Sequence, residues 1–126
     1  MTSANDVLRK ALALAPTDPE GALAIVADAL AHAAELPQQA ASSLAKHAGV
    51  ICTSLNRYHE AIGYYEAALR HPPDDGYLSV AIGDLYRRVG EPGRARLSLQ
   101  LSLRIATEHA DAELSSLVEK ALGELE

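Results

Sequence analysis

Apolar residues recur three and four positions apart along this chain, which is the spacing of amphipathic helices. Short segments containing proline, glycine, asparagine or aspartate interrupt the spacing and divide the chain into seven predicted helices. No segment alternates apolar and polar residues in the manner of a strand. The pattern therefore predicts an all-α fold.

Capping and turn residues predict where these helices begin and end. The first helix starts near residue 5 and ends before Pro16. Its successors are predicted at residues 20–36, 37–54, 58–70, 76–89, 92–105 and 108–126. The side chains expected to cap helix N-termini are Asn5 or Asp6, Asp18, and Asp74 or Asp75.

Two consecutive parts of the chain match each other when one is shifted by 34 positions. Gly49 then falls on Gly83, and Ala61 falls on Ala95. Further pairs are Cys52 and Tyr86, Asn56 and Gly90, Tyr65 and Leu99, Ala68 and Ser102, and Leu69 and Leu103. An offset of 39 relates the second-helix positions to four earlier residues, Ala22, Val26, Ala29 and Leu30. Internal similarity of this kind is the sequence signature of a repeat array.

The segment 42–75 resembles the tetratricopeptide repeat, a helix–turn–helix unit that is roughly 34 residues long. The places of Trp, Leu and Tyr in the family pattern hold Ala45, Ala48 and Cys52. Thr107 replaces the closing proline in the following repeat, and Lys10 takes the glycine place in the preceding one. The positions that fit the pattern directly are Gly49, Ala61, Tyr65 and Pro73.

This resemblance implies an α-solenoid of three antiparallel helix pairs plus a C-terminal capping helix, within a single domain spanning residues 1–126. A degenerate repeat 1 would span about 5–36, repeat 2 about 37–73 and repeat 3 about 74–106, with the cap at about 108–126. The helix that begins at Pro37 is predicted to be one turn longer than the pattern, which accounts for the offset of 39.

Gly49 and Gly83 fall in the middle of predicted helices, where glycine costs about 1 kcal/mol relative to alanine. That cost is tolerable if the missing side chain lets the second helix of each pair pack closely. Ala61 and Ala95 would supply the small surface opposite. Tyr65, or Leu99 in the next repeat, would then fill the space where one pair meets the next.

The last predicted helix carries one apolar stripe within an acidic segment. The stripe consists of Leu114, Leu117, Val118, Ala121, Leu122 and Leu125. A terminal helix with a polar outer side closes the open face of a repeat array, so we expect this one to pack on Leu99 and Leu103. The alternative is that the stripe is offered to a second copy of the chain.

Composition limits the class of partner. Hydrophobic residues make up 48% of the chain but aromatic residues only 4%, which favours closely packed helices over a wide ligand cavity. The formal charge of −6 disfavours binding to nucleic acid. The N-terminus lacks the layout of a signal peptide, and no apolar run is long enough to span a bilayer. We therefore expect a cytoplasmic protein that does not interact with membranes.

No motif predicts an enzyme. The five histidines form no metal-binding or catalytic spacing, and a surface role is expected for them. Cys52 stands where the next repeat has Tyr86, which favours a buried apolar role. The sequence contains neither a G-x-S-x-G motif nor a phosphate-binding loop. We expect no catalytic residue, no metal and no cofactor.

In tetratricopeptide arrays the first helix of each pair lines a concave groove that holds peptide ligands. By register, the resemblance implies a partner-binding groove formed by Lys46, Val50, Thr53, Tyr77, Val80, Asp84, Arg87 and Arg88. Val50 and Asp84 stand where the family's carboxylate-clamping variant needs asparagine, so that ligand class is disfavoured. A second interpretation of Arg87, Arg88, Arg94 and Arg96 is a local site for an acidic partner segment.

Two functions remain open. The favoured one is a non-catalytic interaction module that binds an extended or helical segment of another protein in the groove. The alternative is a structural module that uses the C-terminal amphipathic helix to dimerise or to dock onto a larger assembly. A monomer is favoured over a homodimer, because the connection near Thr107 is too short to require an exchange of helices.

Overall fold

The computed structural model describes residues 3–70 and 76–125. All regular structure in these residues is helical, which confirms the predicted all-α fold. The helices are α1 (Ala4–Leu14), α2 (Pro19–Leu30), α3 (Gln38–Ser54), α4 (Tyr58–Leu69), α5 (Tyr77–Arg88), α6 (Pro92–Glu108) and α7 (Ala112–Glu124), with a 3₁₀ helix at Ala33–Glu35. None of these helices is long and apolar enough to cross a membrane.

The helices form two compact units, Met1–His71 and Pro72–Glu126. In the first unit α1 packs on α2, α2 on α3, and α3 on α4. In the second unit α5 packs on α6, and α6 packs on α7. The helix pairs α1/α2, α3/α4 and α5/α6 are thus those of a tetratricopeptide-like repeat. That the whole chain is a single domain stays a prediction.

The N-terminal half departs from the predicted helix ends in two places. Ser3, rather than Asn5 or Asp6, caps α1, because its Oγ accepts a hydrogen bond from the Asp6 N–H at 3.2 Å. The second helix ends at Leu30 rather than near residue 36. Beyond it the chain tightens into the 3₁₀ helix, where the Glu35 N–H donates to the His32 carbonyl at 3.0 Å. α3 then begins directly after Pro37. A helix boundary is expected here, because the residue before a proline disfavours the helical conformation.

The C-terminal half departs from prediction at the connection between its last two helices. The sixth helix continues to Glu108, so Glu108 does not belong to α7 as predicted. The chain then turns through Ala110, and the Asp111 side chain caps α7 by accepting the Leu114 N–H at 3.1 Å. The predicted turn at 71–75, with Pro73 and its candidate caps Asp74 and Asp75, lies outside the described residues.

The second helices of the three pairs begin at equivalent positions, Pro19, Tyr58 and Pro92. Each is preceded by a residue in a similar non-helical conformation, with ψ of 76° at Asp18, 69° at Arg57 and 70° at Glu91. The alanine three residues into each helix is fully buried, as the repeat alignment predicts; these alanines are Ala22, Ala61 and Ala95. The extra length of α3 relative to α5 is also observed.

The turns within the second and third pairs share one backbone geometry. Asn56 and Gly90, which are 34 positions apart, have φ of 61° and 81°. Each turn is closed by a bond from the following N–H to a carbonyl five residues earlier, at 2.8 Å for Arg57 to Cys52 and 2.9 Å for Glu91 to Tyr86. This is the Schellman ending, in which a left-handed residue satisfies the last helical carbonyls.

The two buried glycines bring the paired helices together. A Cβ built on Gly49 would lie 2.8 Å from the Tyr65 ring, and one on Gly83 would lie 2.9 Å from Cγ of Leu99. Tyr65 and Leu99 therefore fill the glycine sites within their own pairs. That they also fill the space where one pair meets the next stays a prediction. Ala95 contributes through its backbone, because its carbonyl oxygen is 3.3 Å from the same built atom on Gly83.

A serine hydrogen bond links the two helices in both of these pairs, but the serine that donates it lies on the first helix in one pair and on the second helix in the other. Ser42 Oγ on α3 donates to the Ala68 carbonyl at 3.2 Å. In the next pair Ser102 Oγ on α6 donates to the carbonyl of Gly76, the residue preceding α5, at 2.8 Å. Ser42 and Gly76 occupy one repeat position, and Ala68 and Ser102 occupy the other. The hydrogen bond is thus kept although its serine has changed helix.

The apolar stripe of α7 packs within its own unit. Leu114 and Val118 are fully buried in a cluster with Leu99 and Ala106. Leu103 and the C-terminal stripe residues of α7 pack against this cluster while staying partly exposed. The predicted contact of α7 with Leu99 and Leu103 is therefore present. Leu117, by contrast, is 44% exposed.

Two glycines in consecutive helices should respond in opposite ways to the same substitution. Gly49→Ala should lower the free energy of unfolding by about 1–3 kcal/mol, because the new Cβ would overlap the buried Tyr65 ring. Gly63→Ala in α4 should raise it by about 1 kcal/mol, because no atom lies within 4 Å of the new Cβ. Urea titrations of both variants measure the difference. Equal effects would contradict the close contact at Gly49.

Replacement of Ala110 with glycine should stabilise the protein. Its φ of 54° lies in the left-handed region, which costs an L-residue about 1–2 kcal/mol. Glycine would remove this cost, but its greater backbone entropy in the unfolded chain offsets part of the benefit. Ala110→Gly should therefore raise the free energy of unfolding by about 0.5–1 kcal/mol. Ala24→Gly, an exposed position inside α2, should instead cost about 1 kcal/mol and serves as the control. Thermal unfolding that orders these variants the other way would refute the strain at Ala110.

Candidate functional site

The predicted groove residues of the first unit lie on one face of α3. Lys46 is exposed, and Val50 is 54% exposed although it is apolar. Thr53 is half-buried, and its Oγ1 donates to the Gly49 carbonyl at 2.8 Å. Spaced at i, i+4 and i+7, these three residues form a short stripe that carries a cation, an aliphatic group and a hydroxyl.

The predicted groove residues of the second unit lie on α5. Tyr77 is 43% exposed, and Val80 is half-buried against the cluster that α6 and α7 form. Arg87 and Arg88 are exposed in the last turn of the helix, where cations complement the helix dipole. The roles of all eight predicted groove residues in binding, and the prediction that α3 and α5 line one groove, stay predictions.

Asp84 joins the two arginines of α5 into an ion cluster. Its two carboxylate oxygens accept hydrogen bonds from Arg87 at 2.7 Å and from Arg88 at 2.8 Å. The spacings are i, i+3 and i, i+4, which place all three side chains on adjacent turns. The cluster carries a net positive charge in a chain whose formal charge is −6.

The electrostatics of this cluster favour the ionised carboxylate. Partial burial acts to raise the pKa of Asp84, but the hydrogen bonds and charges of Arg87 and Arg88 outweigh it and hold the pKa below its ordinary value of 3.8. Asp84 therefore stays charged at neutral pH and keeps both arginines oriented.

The arginines predicted as a basic cluster near the turn at Gly90 lie on two helices and have different partners. Arg87 and Arg88 bind Asp84 on α5. Arg94 on α6 pairs with Glu91 at 3.6 Å and lies over the Tyr86 ring, 5.8 Å from its centroid. These contacts agree with a mainly structural role for Arg94.

A cavity of about 290 Å³ opens beside the predicted groove residues of α5. Val80, Asp84 and Arg87 line one side of it, and Leu99 contributes from α6. The opposite wall is α7, through Leu117, Lys120, Ala121, Glu124 and Leu125. The sequence-based site contained no residue of α7, because the 44% exposure of Leu117 depends on how α7 packs on α6.

A larger open cavity of about 1210 Å³ lies in the first unit. Its walls come from α1, α2 and the connection that precedes α3, including Leu36 and Pro37. That connection and the extra turn of α3 account for the longer offset between the first two repeats. The apolar residues of this cavity, such as Val7 and Ile25, are bordered by charges of both signs.

The surroundings of Cys52 and of two histidines give little support for a catalytic role. Burial, followed by the charge of Glu60, raises the pKa of the Cys52 thiol to about 11, so the reactive thiolate is not populated at neutral pH. Nδ1 of His32, which follows α2, lies 3.1 Å from the Asp28 carbonyl oxygen, and Nδ1 of His47 lies 2.8 Å from the Ser43 carbonyl oxygen of its own helix, α3. Within residues 3–70 and 76–125, no three His, Cys, Asp or Glu side chains are grouped to hold a metal ion.

Comparison with known families identifies the repeat. The family model of the tetratricopeptide repeat matches residues 43–76. Residues 43–76 are a tetratricopeptide repeat. No curated protein matches the chain. The matched segment contains most of α3, the whole of α4 and the glycine–tyrosine contact between them. The following pair, α5/α6, has the same architecture.

The ion cluster on α5 should contribute to stability only while Asp84 is ionised. Because the pKa of Asp84 is lowered in the folded protein, its contribution is fully present above the ordinary value of 3.8 and is lost as the pH falls through the lowered folded value. Asp84→Asn should therefore cost about 0.5–1 kcal/mol at pH 7 and less at pH 3, in urea titrations at both pH values.

The control is Asp28→Asn, since Asp28 is exposed and forms no ion pair within the described residues. Its effect should be small at pH 7. A cost of Asp84→Asn that does not decrease toward pH 3 would show that the two arginine contacts do not stabilise the fold.

Proposed function

We propose that this chain is a non-catalytic module that binds a segment of another protein through the exposed faces of α3 and α5. The proposal is supported chiefly by the tetratricopeptide repeat at residues 43–76, whose first helix keeps Val50 54% exposed beside Lys46. Exposed aliphatic and aromatic side chains next to charges are typical of protein-binding surfaces. Tyr77 gives α5 the same character.

Several observations support binding over chemistry. The single cysteine is buried and has a raised pKa, and the paired charges of Asp84 and the arginines serve orientation rather than proton transfer. An acidic chain has little attraction for nucleic acid, so a protein is the favoured partner. Tetratricopeptide repeats in general bind other proteins.

The alternative, self-association through the stripe of α7, has less support. Leu114 and Val118, two of the stripe residues, are fully buried against α6 in the same unit. A partner that used them would have to remove α7 from its own core. Burial of two such side chains is worth about 1.5–3 kcal/mol each, so their exposure would be costly.

Site-specific photo-crosslinking tests the proposed surface while the partner is still unidentified. The full chain, with p-benzoylphenylalanine at Val50 or at Tyr77, is irradiated in lysate of the source cells, and the adducts are identified by mass spectrometry. Both positions should capture one common protein. The matched control is Leu97 on α6, which is 68% exposed and thus more accessible than either. Capture of the same protein at Leu97 with equal yield would overturn the assignment.

The affinity of the captured protein gives the second measurement. Tyr77→Ala and Arg87→Ala should each weaken binding by about 1–2 kcal/mol, as truncation of interface aromatic and arginine residues commonly does. The melting temperature should change little, because both side chains are substantially exposed. Unaltered affinity in both variants would exclude α5 from the binding surface.

A further inference from the structure

The last helix, α7, lies at the edge of the second unit and has one main neighbour. It packs on α6 and makes only slight contact with α5. Between α7 and α5 lies the cavity of about 290 Å³, so this side of α7 is not closely packed. α6, by contrast, packs on α5 as well as on α7. In arrays of helices each element is stabilised mainly by its neighbours, so an end helix with one neighbour opens most easily.

The apolar contacts that hold α7 are concentrated in two side chains. Leu114 and Val118 are fully buried in the cluster with Leu99 and Ala106. Leu117 is 44% exposed, and the stripe residues that follow Val118 are only partly buried. Hydrophobic stabilisation is proportional to the apolar area removed from water. Detachment of α7 therefore costs less than it would if the whole stripe were buried.

The connection between α6 and α7 is strained while α7 is packed in place. Ala110 has a φ of 54°, in the left-handed region that L-residues avoid. The turn is closed by a hydrogen bond from the Asp111 N–H to the Ala106 carbonyl at 2.8 Å, a geometry that uses the left-handed residue. Detachment of α7 frees this connection to relax to a negative φ. The strain therefore destabilises the packed form of α7 and not the detached form.

The pair α5/α6 has contacts of its own that do not involve α7. The Leu99 side chain packs against Gly83, where a built Cβ would lie 2.9 Å from its Cγ. The buried Ser102 Oγ donates a hydrogen bond to the Gly76 carbonyl at 2.8 Å. Both contacts join residues of the α5/α6 pair, so they can persist when α7 is absent from its place.

We infer that α7 is a detachable latch: it leaves α6 as one unit while α5 and α6 stay packed, and the strain at Ala110 sets how often it does so. Detachment exposes the α6 face that contains Leu99, Leu103 and Ala106. It also removes the far wall of the cavity beside Val80, one of the predicted binding residues of α5. The surface of α5 thus has a closed and an open form. This device goes beyond the proposed function and does not depend on which partner binds.

Hydrogen exchange of the full chain tests the latch, with single amides followed by NMR at neutral pH. The hydrogen-bonded amides of α7 should share one level of protection, about tenfold or more below that of α5 and α6. In low concentrations of urea, exchange in α7 should accelerate less than exchange in α5 and α6, because detachment exposes less surface than complete unfolding. Protection that falls gradually toward the end of α7 would indicate fraying of the helix and would overturn the latch.

Ser102→Ala separates detachment of α7 from unfolding of the whole unit. The hydrogen bond that it removes is present in both the closed and the open form. Exchange in α5 and α6 should therefore accelerate about tenfold, while exchange in α7 should not change. If α7 opened only when the unit unfolds, its exchange would accelerate by the same factor, and the latch would be wrong. Circular dichroism shows whether the variant is folded, and the urea dependence of the parent chain decides the question without it.

Ala110→Gly tests the role of the strain. Glycine relieves the packed form, so exchange in α7 should slow about two- to fivefold. The control is Ala24→Gly in α2, the same substitution in the other unit, which should leave exchange in α7 unchanged. An Ala110→Gly variant whose α7 exchanges at the parent's rate would show that this residue does not set the opening.

Discussion

The architecture depends on the close approach of two helices at a glycine that has no side chain to separate them. In α3/α4 the Tyr65 ring occupies the place of a Cβ on Gly49, and in α5/α6 the Leu99 side chain does so at Gly83. Helix packing distances are set by the side chains at the contact, so the missing Cβ determines how closely each pair can pack. The intrinsic cost of a mid-helix glycine, about 1 kcal/mol, is offset by the packing of one large buried side chain.

The repeat itself could be predicted from sequence, since its determinants are local and recur. The starts of α2, α4 and α6 and the buried alanines follow the offsets of 34 and 39 without error. The left-handed residues follow them too: Asn56 and Gly90 share one repeat position, and Gly76 and Ala110 share another. Ala110 could not be recognised as a turn residue, because alanine has no preference for a positive φ and only the equivalence with Gly76 indicates it.

The helix ends were less predictable because several residues compete for each one. Ser3, Asn5 and Asp6 are all good caps; in the structure Ser3 caps α1, while Asp6 pairs with Arg9. The end of α2 was misplaced for a related reason. A run of helix-favouring alanines continues past Leu30, but the chain must tighten into a 3₁₀ turn before Pro37.

In the candidate site, some features follow from repeat positions and residue spacing, whereas others depend on how the helices pack. The exposure of Val50 and Tyr77 follows from their repeat positions, and the pairing of Asp84 with Arg87 and Arg88 follows from their spacing. The cavity does not, because its far wall depends on how α7 lies on α6. The stripe of α7 indicated which face would be buried, but burial is complete only at Leu114 and Val118. A helix serving as a cap alone would be expected to bury Leu117 and close the space over Gly83. Because α7 leaves Leu117 exposed, an incompletely packed region remains beside the predicted binding residues. Such imperfect packing is expected at a site that serves binding.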